Sequence, residues 1–137
     1  MKETTKDWFT ASEDDLLSAK KLVSEVRLTN IVVFHCQQCI EKSLKGIIEE
    51  KNHPSVKSHD LLRLRDIAGI QLSEQETNML EAINEVYIDA RYPADLGLMP
   101  NGKPTTKEAE SFIDFAEEIF NKLKNICLND NKNNLSL

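Results

Sequence analysis

Apolar residues recur every three to four positions along most of the chain, the period of a helix that buries one face. The strongest pattern runs from Phe34 to Lys51. There Val33, Cys36, Ile40, Leu44 and Ile47 form a narrow stripe, with the small Cys39, Ser43 and Gly46 on one flank, where a second helix would approach closely. On the other flank Gln37 and Glu41 alternate with Phe34 and Ile48, and the far face, His35, Gln38, Lys42, Lys45 and Glu49, reads as solvated. A first helix is predicted from Thr5 or Asp7 as far as Val26, with Trp8, Ala11, Asp15, Ala19, Leu22, Val23 and Val26 on one face that Asp15 interrupts. Thr5 is its predicted N-cap, although Ser12-Glu13-Asp14-Asp15 resembles a capping box and would start the helix at Glu13. Asn30 is the predicted cap of the second helix, and the short link at residues 27–30 makes the first two helices antiparallel neighbours.

Residues 52–57 form a polar loop in which Pro54 disfavours a helical His53. Ser58 then caps a short helix from His59 to about Ile67, with Asp60 placed to suit the helix dipole. Ser73-Glu74-Gln75-Glu76 is a capping box that opens a fourth helix through Met79, Leu80, Ile83, Val86, Tyr87 and Ala90, ending by Tyr92 ahead of Pro93. Residues 94–104 make the longest loop. Thr105 and Glu108 supply another box, and the last helix is the most regularly amphipathic, with Ala109, Phe112, Ile113, Ala116, Ile119, Phe120, Leu123 and Cys127 on one face. The expected fold is all-α: an antiparallel bundle of four long helices plus one short helix. It forms one domain over residues 1–128, followed by a C-terminal tail at 129–137 that lacks an apolar period and is expected to fray.

Composition agrees with one helical domain: 137 residues, 4 Gly and 4 Pro, enough chain to bury a core without disulfides. Charge changes the functional picture. With 23 acidic against 17 basic residues the net charge is -6, so no overall positive field draws the protein to nucleic acid, and any such contact must use a local basic patch. No leader or membrane-length apolar run is read, so the expected location is cytoplasmic, with no membrane partner.

Several side chains invite a chemical reading. Cys36-Gln37-Gln38-Cys39 has the spacing of a zinc or redox half-site, but Cys127 stands alone elsewhere and the pair lies mid-helix, so packing explains it better. No cofactor and no metal is expected. Ser58-His59-Asp60 is not a catalytic triad, because consecutive residues at a helix start point in different directions. Gln37, Glu41 and Arg91 remain as polar residues on apolar stripes, and a buried carboxylate such as Glu41 needs a partner.

Three separated motifs carry a resemblance: Gln37-Gln38-Cys39-Ile40-Glu41-Lys42-Ser43-Leu44-Lys45, then His59-Asp60-Leu61, then Tyr87-Ile88-Asp89-Ala90-Arg91-Tyr92-Pro93. In this order they resemble the HEPN domain family, in a branch often paired with a minimal nucleotidyltransferase. The resemblance implies a dimerising helical bundle, proposed in the family to bind nucleotides or RNA, in two-component systems that are toxin-antitoxin-like. The candidate ligand-binding residues are Gln37, Glu41, Lys45, His59, Tyr87 and Arg91, of which Gln37, Glu41, Tyr87 and Arg91 are expected to line one cleft because they break otherwise apolar stripes. Ribonuclease members carry an Arg followed after four to six residues by a His. Counting from Arg91, Arg63 or Arg65 reaches no histidine in that window. No catalytic residue is therefore assigned, and the expected function is a binding module for a nucleotide, RNA or a nucleotidyltransferase partner. The alternative is a metal-independent ribonuclease toxin using Arg91 and an unrecognised base. Two readings of Glu41 stay open: a structural ion pair with Arg91, or a ligand contact.

Overall fold

The computed structural model describes the backbone at residues 1–91 and 103–135 and side chains at 1–87 and 103–129. Among the described residues the order is α1 (Glu3–Leu22), a 3-10 turn (Val26–Leu28), α2 (Thr29–Glu50), α3 (Leu61–Ala68), α4 (Glu74–Arg91) and α5 (Thr106–Leu135). The four long helices form an antiparallel bundle, and short α3 packs against α2 and α4. α2 is the central member and packs against each of the others, most extensively α1 and then α5. Its apolar stripe behaves as its spacing predicts, with Val33, Cys36, Ile40, Leu44 and Ile47 all buried.

The small flank of α2 meets α1. Ser12 Oγ lies 2.7 Å from the Cys39 carbonyl and 2.7 Å from Ser43 Oγ, so two buried hydroxyls and a backbone oxygen satisfy one another where the helices touch. One turn on, a Cβ placed on Gly46 would stand 2.9 Å from the Phe9 ring, which itself packs edge-on against Phe120. At the end of the pair, α2's carboxylates hold the start of α1: Thr5 Oγ1 donates to Glu50 Oε1 at 2.9 Å and Thr4 Oγ1 to Glu49 Oε1 at 2.8 Å.

Those contacts correct the reading of α1. Its buried face is Thr5, Phe9, Ser12, Asp15, Leu16 and Ala19, whereas Trp8, Ala11, Leu22 and Val23 are half-buried and Val26 is 72% exposed. The true stripe includes Thr5 and Ser12, which look like surface or capping residues by type, but α2 supplies partners for their hydroxyls. Neither caps α1: the helix starts at Glu3, before Thr5, and Ser12 lies mid-helix. α2 likewise begins at Thr29 without a side-chain cap, which places Asn30 inside it.

The short helix also starts later than expected. Asp60, not Ser58, is its N-cap and accepts from the Leu62 N–H at 3.0 Å, while Ser58 Oγ accepts from the Asp60 N–H. Asn84 of α4 closes this end by donating to Asp60 Oδ1 and accepting from the Leu61 N–H. At the other end Gly69, at φ 71°, takes the left-handed conformation that ends a helix, and Lys51 Nζ donates to the Ala68 carbonyl at 2.6 Å.

Both predicted capping boxes form: Ser73 with Glu76, and Thr105 with Glu108, each by reciprocal bonds between side chain and backbone N–H. All eight expected core residues of α5 are buried, and Phe115 joins them. Its backbone stays helical to Leu135, into the segment expected to fray. The long loop at 94–104 falls largely outside the described residues.

The close approach at Gly46 gives a direct test. Gly46→Val adds two methyl groups and a Cβ against a packed ring, and β-branching brings little helix propensity to offset the clash. Thermal denaturation should show a loss of about 1–3 kcal/mol, the usual cost of overpacking a core; a variant as stable as wild type would contradict the observed packing.

Candidate functional site: a buried carboxylate beside a cationic cleft

Glu41 sits near the middle of α2 and is only 4% exposed. Helical spacing brings Gln37, Gln38 and Lys45 of the same helix within reach. Lys45 Nζ donates to Oε2 at 2.9 Å, while Gln37 Nε2 donates to Oε1 at 3.1 Å. The remaining partner comes from outside the helix: His59 Nδ1 lies 2.9 Å from Oε1. Gln37, fully buried, also donates to the His59 carbonyl at 3.0 Å and accepts from Gln38 Nε2 at 2.7 Å, so one amide fixes both the loop backbone and its neighbour. Burial pushes the Glu41 carboxyl up, but the bonds from Lys45, His59 and Gln37 outweigh it and hold the group below its ordinary value.

A second cluster of the same design lies on the α1 side of α2. Asp15, which interrupts the apolar face of α1, accepts from Lys42 Nζ at 2.6 Å and lies 2.8 Å from His35 Nδ1. Burial raises its pKa, the hydrogen bonds to His35 and Lys42 lower it, and the net direction is down. Both clusters overturn the reading of His35, Lys42 and Lys45 as a solvated face. All three are half-buried, because α1 and the 52–60 segment cover α2 from either side. The signal was present in Asp15, an acid on an apolar stripe, whose partner had to be cationic.

The structure thus brings together Gln37, Glu41, Lys45 and His59. Tyr87 joins them at the edge: its ring stacks on Phe34 with centroids 5.7 Å apart and lies 6.2 Å from the His59 ring. Arg91 is in α4, one turn beyond Tyr87, but its side chain lies outside the described residues, and with it the expected Glu41–Arg91 pair. Tyr92 and Pro93 lie outside them as well.

Beside this network opens a cleft of about 370 Å³ lined by Trp8, Lys45, Ile48, Glu49, Ser55, Val56, Lys57 and His59. Lys45 Nζ stands 5.8 Å from the centre of the Trp8 ring. Sequence reasoning assigned Trp8 to the core and 52–57 to a polar loop, and so missed this wall; the available signal was two lysines and a histidine bracketing the chain's single tryptophan once α1 and α2 are antiparallel.

The arrangement makes Glu41 a poor proton acceptor. A carboxylate held below its ordinary value and donated to from three sides is a weak base. The cysteines are no better placed as nucleophiles: both Cys36 and Cys39 are buried, and burial pushes the Cys36 thiol far up and Cys39 up to about 12. Among the described residues no group of His, Cys, Asp and Glu is arranged to hold a metal ion, and no helix is long and apolar enough to cross a membrane.

The HEPN domain model matches residues 5–126 of the chain. Two solved structures share the fold. TT1696 from Thermus thermophilus is 23% identical with a TM-score of 0.75, covering 90% of this chain and 98% of that one. ST0689, an archaeal HEPN homologue, is 24% identical with a TM-score of 0.70, covering 93% and 99%. No curated protein matches.

The two carboxylates set an acid limit on stability. Their ordinary values are 4.5 for Glu41 and 3.8 for Asp15, and the folded protein holds both lower, so the unfolded chain binds these protons more readily. Their stabilisation is whole above the ordinary values and is lost as pH falls through the folded ones. Melting temperatures should therefore drop as pH falls below about 4.5, and Glu41→Gln should flatten that drop. At neutral pH the same variant should lose about 1–3 kcal/mol by leaving Lys45 and His59 without their acceptor. An acid profile unchanged by Glu41→Gln would refute the assignment.

Proposed function

This chain belongs to the HEPN domain family, and from that premise we propose that it is a helical module binding a nucleotide or RNA, or a minimal nucleotidyltransferase partner in a two-component, toxin-antitoxin-like system, without ribonuclease activity of its own. The carrying observation is the cleft that sets Lys57 and His59 beside Trp8, with Lys45 there paired to Glu41, on a protein of net charge -6. Cations on an otherwise acidic surface bind phosphate locally, and an aromatic wall offers a base a face to stack on. Gln37, Glu41 and Tyr87 support this face, and Arg91, one turn beyond Tyr87 in α4, is proposed as a further ligand-binding residue. We place the protein in the cytoplasm as a homodimer, with this face along the dimer cleft.

A second reading is favoured by one specific contact. Glu41 orients His59 through Nδ1, as a carboxylate orients a catalytic imidazole, and the His59 side chain is 50% exposed. With Arg91 stabilising a phosphate oxyanion, His59 would be the base of a metal-independent ribonuclease. Cleavage also needs an acid for the leaving oxygen, and an Arg, which does not give up its proton near neutral pH, serves poorly. No histidine stands four to six residues after Arg91 to supply it.

The two readings separate in one set of assays. Wild type should bind a short RNA or nucleotide weakly, with affinity falling as salt rises. It should leave RNA intact, and Arg91→Ala should weaken binding by about five-fold or more. Metal-independent cleavage that vanishes in both Arg91→Ala and His59→Ala would establish the ribonuclease instead. Light scattering at several concentrations checks the dimer, and a strict monomer would remove that part of the proposal.

A further inference from the structure

Resting on that binding role, we infer that the cleft between α1 and the 52–60 segment seats one nucleotide unit, with Trp8 as the stacking platform for the base and Lys57 and His59 as the phosphate anchors. Volume is the first argument. About 370 Å³ lies near the lower end of the range for small-molecule sites, about 300–1,000 Å³. It suits a mononucleotide or a strand terminus better than a run of stacked bases.

Chemistry assigns the parts. Trp8 is half-buried and lines the cleft together with Ile48 and Val56, an apolar wall with Lys45 Nζ standing over the indole ring. A flat aromatic in such a wall is what a base requires, and stacking of this kind is sequence-tolerant. Lys45 is committed to Glu41 and to the Trp8 ring, so it fixes the platform. Lys57 is different: it is exposed at the rim and in no ion pair among the described residues. His59 donates from Nδ1 to Glu41, which fixes its ring and leaves Nε2 for the ligand, donating to a phosphate oxygen from the imidazolium or accepting from a phosphate or ribose hydroxyl on the neutral ring. Ser55 adds a hydroxyl.

Glu49 tells against a bare anion and for a nucleotide. Glu49 lines the same cleft, and its carboxylate accepts from Thr4 Oγ1 through Oε1. A phosphate alone would meet this charge unfavourably, whereas a ribose presents hydroxyls that donate to it. Aromatic face, cationic rim and carboxylate acceptor match base, phosphate and sugar in turn.

The chain's only tryptophan makes the test direct, because its fluorescence reports on Trp8 alone. Titration of the whole protein with AMP at low salt should give saturable quenching. Adenosine and inorganic phosphate should each bind at least about five-fold more weakly, since each lacks one half of the contacts. Lys57→Ala, an exposed substitution that should leave the melting temperature unchanged, should weaken AMP by about five-fold or more. Trp8→Leu, followed by calorimetry, should weaken it by a similar factor. Absence of saturable quenching by AMP, or Lys57→Ala binding as tightly as wild type, would overturn the inference. If AMP or a short RNA binds undiminished to both variants, the cleft assignment falls while the binding module stands. If neither binds wild type by any readout, both fall.

Discussion

A carboxylate buried in the middle of the central helix is the constraint on which the rest of the arrangement depends. Glu41 cannot be left unpaired at that depth, because an isolated buried charge costs several kcal/mol. Helical geometry supplies partners at spacings of three and four, and Gln37, Gln38 and Lys45 fill them. The remaining bond must come from elsewhere in the chain, and His59 provides it. This is why the 52–60 segment runs back along α2 instead of leaving into solvent: Gln37 holds the His59 backbone while Glu41 holds its ring. The path so fixed delivers Asp60 to the start of α3, and Asn84 of α4 completes that cap. One acidic residue thereby couples α2 to α3 and α4.

Asp15 repeats the device on the opposite flank, tying α1 to α2 through His35 and Lys42. Such pairs add less to stability than their charges suggest, since desolvation offsets the Coulomb gain. Their contribution here is register. Ser12 against Cys39 and Ser43, and Phe9 against Gly46, admit one sliding position of α1 on α2, and the Asp15 pairs lie in that same register. Packing and electrostatics thus select the same alignment.

The legible parts of the sequence were those in which the chemistry is local. Capping boxes at Ser73 and Thr105 are complete within four residues, and α5 faces the core with one uninterrupted apolar stripe, so both follow from spacing alone. The small flank of α2 was readable for the same reason. α1 was not: its buried stripe includes Thr5 and Ser12, whose burial is tolerable only because Glu50, Cys39 and Ser43 stand opposite. The far face of α2 failed likewise, since Lys42 and Lys45 look solvated until the acids that neutralise them are located in space. For the candidate site, Gln37, Glu41, Lys45 and His59 were legible through the motifs they occupy, and Trp8 and Lys57 were not, because their juxtaposition with that network is purely tertiary.

The buried carboxylates also bear on function through what they leave exposed. Each histidine–acid–lysine cluster directs its cations inward, toward Glu41 or Asp15, so much of the positive charge near α2 is already neutralised. A ligand arriving at the cleft therefore meets Lys57 at the rim and the outward edge of His59, not a broad basic surface. Broad basic surfaces bind polyanions along their length and draw affinity from many phosphates. A small cationic rim beside one aromatic ring instead rewards a ligand whose charge and planar group lie a short distance apart. The net charge of -6 acts in the same direction, because a long strand brings further phosphates to a surface that is acidic on balance.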